Sequence, residues 1–157
     1  MNVISPFSAA SGTDMRVPHA LLVLASVDDR ETLCWSVAVC GVQPVPCSTL
    51  QEAKTVMASD AIGLALCEDR LSDGDYTDFL RAVRSSGRPI PVVVCSRRLD
   101  LGLYLDAMEM GAYDFVVRPY QEADLAWILE GALWKAGLMH LGRPSAQGSA
   151  GGRFYEH

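Results

Sequence analysis

Acidic side chains, one hydroxyl and one guanidinium gather just after short apolar runs of the chain. Asp28 and Asp29 follow the run at 20–25, Glu68 and Asp69 the run at 62–67, Ser96 the run at 90–95, and Arg118 the run at 113–117. Carboxylates, a hydroxyl and a cation in one place are the groups that hold a hard metal ion or an anion such as a phosphoryl group. Other chemistries lack their parts. No G-x-G-x-x-G follows a strand, so no phosphate-cradling loop is present. His19, His140 and His157 all fall outside the predicted strand ends, which leaves no hydroxyl or thiol with a base beside it. The five cysteines (Cys34, Cys40, Cys47, Cys67 and Cys95) show no C-x-x-C pairing or metal-ligand spacing and read as buried reduced thiols.

The elements that position these groups follow from the apolar pattern. Strands are predicted at 20–25, 43–47, 62–67, 90–95 and 113–117, and helices at 28–40, 50–59, 76–85, 99–110 and 121–138. Short apolar runs alternating with amphipathic segments are the sequence form of βα units around a parallel sheet. The first, third and fourth runs are continuous, as in strands buried on both faces. The expected fold is α/β: a doubly wound (βα)5 three-layer sandwich with a five-stranded parallel sheet. In such sheets ligands bind beyond the carboxyl ends of the strands, where the polar residues cluster. Ser26 or Asp28 is placed to cap the first helix, and Gly41 and Gly111 to end the first and fourth.

With 157 residues, 50% hydrophobic and 20% charged, the chain has the composition of one globular domain. A net charge of −6 argues against a nucleic-acid surface. The first residues lack a basic, then apolar, leader, and no apolar run approaches the roughly 20 residues of a membrane span. A cytoplasmic location and no membrane partner are expected. Residues 1–17 read as a flexible N-terminal segment, 18–140 as the folded domain, and 141–157 as a low-complexity flexible tail.

Two stretches carry a family resemblance. Leu64-Ala65-Leu66-Cys67-Glu68-Asp69-Arg70-Leu71-Ser72-Asp73-Gly74-Asp75 resembles the third strand and following loop of response-regulator receiver domains, the CheY-like superfamily with a flavodoxin-like fold. Gly111-Ala112-Tyr113-Asp114-Phe115-Val116-Val117-Arg118-Pro119-Tyr120 resembles the Gly-Ala…aromatic…Lys-Pro-Phe segment that closes that fold. The resemblance covers residues 20–138. It implies two-component phosphorelay signalling: phosphoryl transfer from a partner histidine to an Asp, assisted by Mg²⁺ on an acidic pair, with a hydroxyl and a Lys bonding the phosphoryl oxygens.

Position by position, the chain departs from that pattern. Glu68 stands at the phospho-acceptor position, and its permanent charge reaches roughly as far as a short acyl phosphate. Ala25 and Ser26 stand where the acidic pair belongs. Asp28 and Asp29 come two or three residues later; they are the remaining metal candidates and otherwise complement the helix dipole. Asp69 is a substitute acceptor only if its side chain shares the face of Glu68, and one step along a strand turns it away. Ser96 keeps the switch hydroxyl, and Arg118 replaces the Lys, so an Arg118–Glu68 ion pair is expected. Phe115 takes the switch-aromatic position and is expected to be buried. The resemblance also implies a cis Arg118–Pro119 peptide. No cofactor is expected, since the family's Mg²⁺ lacks its ligands.

On the last helix, Leu125, Leu129, Ala132, Leu133 and Ala136 form the expected core stripe. Trp127, Trp134 and Leu138 form a second stripe, read as an exposed partner surface to which Tyr104 of the fourth helix adds. The alternative is that Phe7, Phe154 or Tyr155 folds over the tryptophans. The expected activity is that of an atypical, phosphorylation-independent receiver-like module that is not an enzyme. It would act by contact with a sensor kinase or output protein, or as a homodimer through the last two helices. The alternatives are a structural dimerisation module and an enzyme on a flavodoxin-like sheet.

Overall fold

The computed structural model describes residues 17–59 and 61–138. The expectations for the N-terminal segment and the tail, and for Phe7, Phe154 and Tyr155, lie outside these residues. Five parallel strands, β1 (His19–Val23), β2 (Gln43–Cys47), β3 (Ile62–Glu68), β4 (Val92–Ser96) and β5 (Asp114–Val117), form one sheet in the order β2-β1-β3-β4-β5. The helices are α1 (Val27–Val39), α2 (Leu50–Ser59), α3 (Tyr76–Ser86), α4 (Leu101–Glu109) and α5 (Glu122–Lys135). A two-residue hairpin, Arg70–Leu71 with Gly74–Asp75, sits between β3 and α3.

Period-2 alternation sends successive strand side chains into two separate cores. Leu21, Val23, Ala65, Cys67, Val92 and Val94 meet α2, α3 and α4 on one face. Ala20, Leu22, Leu64, Leu66, Val93 and Cys95 meet α1 and α5 on the other. Since each buried Leu or Val is worth about 1.5–3 kcal/mol, strands that are apolar throughout become the middle of a sandwich.

Local chemistry sets the helix starts. Ser26 caps α1, its Oγ accepting from the Asp29 N–H at 3.3 Å. Asp75 makes a capping box with Asp78 at the start of α3. Asp100 caps α4, so that helix begins two residues later than the sequence suggested. Gly137, at a φ of 79°, lies just beyond α5, which ends at Lys135 and not at Leu138.

At the open edge, β2 has the sequence Gln-Pro-Val-Pro-Cys. The Gln43 N–H points inward to the Pro18 carbonyl. Alternation therefore turns the nitrogens of Pro44 and Pro46 outward, where a proline has no N–H to offer another strand.

Candidate functional site

The strand order reverses direction between β1 and β3: from β1 the chain goes to β2 on one side and returns to β3 on the other. The loops leaving β1 and β3 diverge there, and this opens the cleft at the carboxyl edge. Glu68 ends β3, Ser96 ends β4, and Arg118 follows β5. Register places Glu68 beside Cys95 and Ser96 beside Val117, so the three residues line one edge.

Glu68 is buried, at 7% exposure. Its Oε1 accepts the Ala25 backbone N–H at 2.9 Å, and its Oε2 lies 3.7 Å from Arg97 Nε. The expected Arg118–Glu68 pair does not form. Arg118 Nη2 instead lies 3.2 Å from Asp29 Oδ1, and Arg97 Nη2 lies 3.7 Å from Asp29 Oδ2. The reason is local: Ala25 brings no acid to the end of β1, so its free N–H draws Glu68 toward that strand. Asp29, turned inward from the first turn of α1 and 5% exposed, becomes the carboxylate that Arg118 meets.

Asp28 and Asp29 therefore part ways. Asp28 is exposed on the helix surface, whereas Asp29 enters the cluster. Ala25 is exposed and Ser26 serves as the helix cap. These four side chains set two carboxylates against two guanidinium groups and balance one another in charge. Burial of a charge is costly unless it is paired, and these pairings make the buried acids tolerable.

Ser96 is 1% exposed. Its Oγ accepts from the Arg98 N–H at 3.2 Å and lies 3.2 Å from Asp69 Oδ2 and 3.0 Å from the Arg98 carbonyl. Asp69 keeps the strand alternation that turns it away from Glu68: its N–H continues the ladder to the Cys95 carbonyl, and its side chain leaves on the face of Cys67 and Val94, where it meets the Ser96 hydroxyl. Phe115 is buried, and Tyr104 meets it edge-on at 5.8 Å and 82°. Tyr104 is thus half-buried against the core and not an outward contact residue. The Arg118–Pro119 peptide is cis, as the resemblance implied. Tyr120, next along, hydrogen-bonds Cys95; burial pushes both the phenol and the thiol well up, so both stay neutral.

Magnesium needs hard oxygen ligands free to face it. Here the acidic-pair positions carry Ala25 and Ser26, Asp29 and Glu68 already face guanidinium groups, and Asp69 is turned to the Ser96 hydroxyl. No group of three or more metal-ligating side chains occurs among the described residues. The donor set does not fit the family's ion.

The last helix departs from its expected stripes. Trp127 is half-buried, packed against the core shared by α1 and α5, and is not an exposed anchor. A helix neighbouring α5 on the same face covers flanks that a helical-wheel argument leaves open. Trp134 and Leu138 are 48% and 42% exposed. Leu138 lies past the helix end and covers Gly63, where a Cβ would collide with its Cδ1. Two cysteines, Cys34 and Cys40, are half-buried where full burial was expected, and all five are free thiols. Arg97, directly after Ser96 at the same strand end, was given no role from the sequence; its place there was the available signal. Trp35, 67% exposed on α1, was also missed, although it lies roughly opposite Leu33 and Val37 on the helix wheel.

No helix is long and apolar enough to cross a membrane among the described residues. No family model matches the chain. By sequence it is 36% identical over 77 residues to "Probable transcriptional regulatory protein y4xI" of Sinorhizobium fredii. It is 26% identical over 107 residues to the swarming motility regulation protein RssB of Serratia marcescens. These matches take in 49% and 68% of the chain but only 34% and 49% of the relatives, so the chain spans half or less of their length. By structure it resembles the signal receiver domain of an HD domain-containing protein from Pseudomonas fluorescens, with a TM-score of 0.72 and 19% identity, covering 79% of this chain and all of that one. A response regulator receiver domain protein from Clostridium thermocellum gives a TM-score of 0.71 and 16% identity, covering 78% and 98%. The fold of this chain is that of response-regulator receiver domains, and its relatives by sequence are regulatory proteins that include response regulators.

Proposed function

We propose that the chain is a receiver-like signalling module held in one state by its own side chains, acting by protein contact and without phosphorylation. The observation that carries this reading is the setting of Glu68. The acid at the acceptor position is tied to the Ala25 N–H and faces Arg97, while Asp29 and Arg118 close the rest of the cluster. A nucleophile for phosphoryl transfer needs a free carboxylate oxygen and a counter-charge that the incoming group shares. Glu68 has its oxygens engaged, and the cations are balanced by acids already present. Ser96, Arg118 and Phe115 keep their family positions as the hydroxyl, the cation and the aromatic of a switch that Glu68 holds still.

The contact surface in this reading lies on the last two helices. Trp134 and Leu138 contribute from the end of α5, and Leu101 and Leu105 are 67% and 55% exposed on α4. Its partner is a protein of a two-component pathway, a sensor kinase or an output protein, met in the cytoplasm. Ser96 has the Asp69 carboxylate beside it, but at 1% exposure its hydroxyl is closed to a substrate.

Incubation with a small phosphodonor and Mg²⁺, read by intact mass, tests the reading. An unchanged mass is expected; gain of one phosphoryl group overturns it. Glu68→Asp is the companion measurement, since labelling of that variant alone identifies Glu68 as the group that blocks transfer.

A further inference from the structure

The most exposed tryptophan, which the site does not use, lies on the side of α1 turned toward the β2 edge. Val27, Cys34, Trp35 and Ala38 form one stripe of α1 at helical spacing, and with Pro44 and Pro46 of β2 they line a groove of about 480 Å³. Val27, Trp35 and Val39 are 56%, 67% and 63% exposed. Large apolar side chains left in water together mark a contact surface.

We propose that this face of α1 and the β2 edge is where a second copy of the chain docks. A two-fold interface must be self-complementary, with the same patch serving both partners. The patch meets that condition, because it holds both a projecting indole and a groove with room to accept one.

Charge favours the same occupant. The chain carries −6 overall, which sets copies against each other. The rim of this groove has one Arg30 and one Glu31, so two such patches meet without net repulsion and offer reciprocal pairs. Arg30 is also held in place, its Nη1 donating to the Leu24 and Ala25 carbonyls at 2.7 and 3.1 Å.

The outward prolines decide the kind of contact. With no N–H at Pro44 or Pro46, the edge cannot extend its ladder through another strand, so the partner must be met by side chains. The stripe, the two prolines and the rim are fewer residues than the roughly 20–30 a side of a standard interface, so the contact is a small and reversible one.

The test is sedimentation equilibrium of the full chain up to about 200 µM, the range that suits a micromolar dissociation constant. Wild type is expected to approach twice the monomer mass. Trp35→Glu and, separately, Val27→Lys are expected to weaken association at least about tenfold, as loss of a central anchor does. Trp134→Ala is expected to leave association unchanged. Circular dichroism confirms the fold of each variant, and both α1 positions are exposed enough to accept the change. A wild type that stays monomeric overturns the proposal, and so does a dimer indifferent to both α1 substitutions. A monomer whose Trp35 contribution to fluorescence, taken against Trp35→Phe, resists quenching by acrylamide also overturns it, since another part of the same chain then covers the face. None of these outcomes bears on phosphorylation.

Discussion

The two ends of β3 differ although the strand is buried nearly throughout. At its amino end Gly63 gives up its side chain so that Leu138 can lie over the backbone. Along its middle Leu64, Ala65, Leu66 and Cys67 are fully enclosed in apolar surroundings. At its carboxyl end Glu68 is almost as enclosed, yet charged. The first two arrangements rest on removing apolar surface from water and need no particular partner. The last exists only because an N–H, two guanidinium groups and a second carboxylate sit in register around it. Burial alone holds the middle of the strand, whereas geometry holds its end.

Three substitutions sharpen that contrast. Leu66→Ala removes a fully buried side chain from the α1/α5 core and is expected to cost about 3 kcal/mol in urea unfolding, as a transfer and cavity loss. A loss under about 1 kcal/mol would mean that the core collapses around the site. Asp29→Asn leaves Arg118 and Arg97 without their shared carboxylate. Because the side chains of those arginines are 35% and 57% exposed and turn to water, the expected loss is smaller, about 1–2 kcal/mol. It should shrink further in high salt, which the Leu66→Ala loss should not do.

Asp75→Ala, just beyond the same strand end, removes the capping box of α3 and is expected to cost about 1 kcal/mol at neutral pH. Partial burial raises the pKa of Asp75, but hydrogen bonds from Thr77 and Asp78 outweigh it and leave the carboxyl below its usual range. A depressed folded pKa means that the cap stabilises fully above the unfolded value and is lost as pH falls through the folded one. The gap between wild type and variant should therefore close below about pH 4. A gap that persists there would assign the effect to packing and not to charge.

The sheet was legible in the sequence because its strands are apolar on both faces, and such runs have few other places to go. Glu68, Ser96 and Arg118 were legible for a related reason: strand ends of a parallel sheet fall at one edge, so counting along each run locates them. Their partners were not. Whether Arg118 meets Glu68 or Asp29 depends on the reach of side chains across three loops, and the deciding group, the Ala25 N–H, belongs to the backbone. Trp127 was misplaced for a similar reason. A helix wheel ranks faces against one core, and α5 has a neighbouring helix on its flank as well. Trp35 was the reverse case, readable from its place opposite Leu33 and Val37.

A cluster that balances its own charge has a consequence for control. A receiver that waits for phosphate carries its message as the fraction of molecules modified. On the proposed reading, every copy of this chain leaves the ribosome with Glu68 already in place and its counter-ions attached. The quantity left for a cell to adjust is the number of copies and what they meet, so the message is carried by dosage.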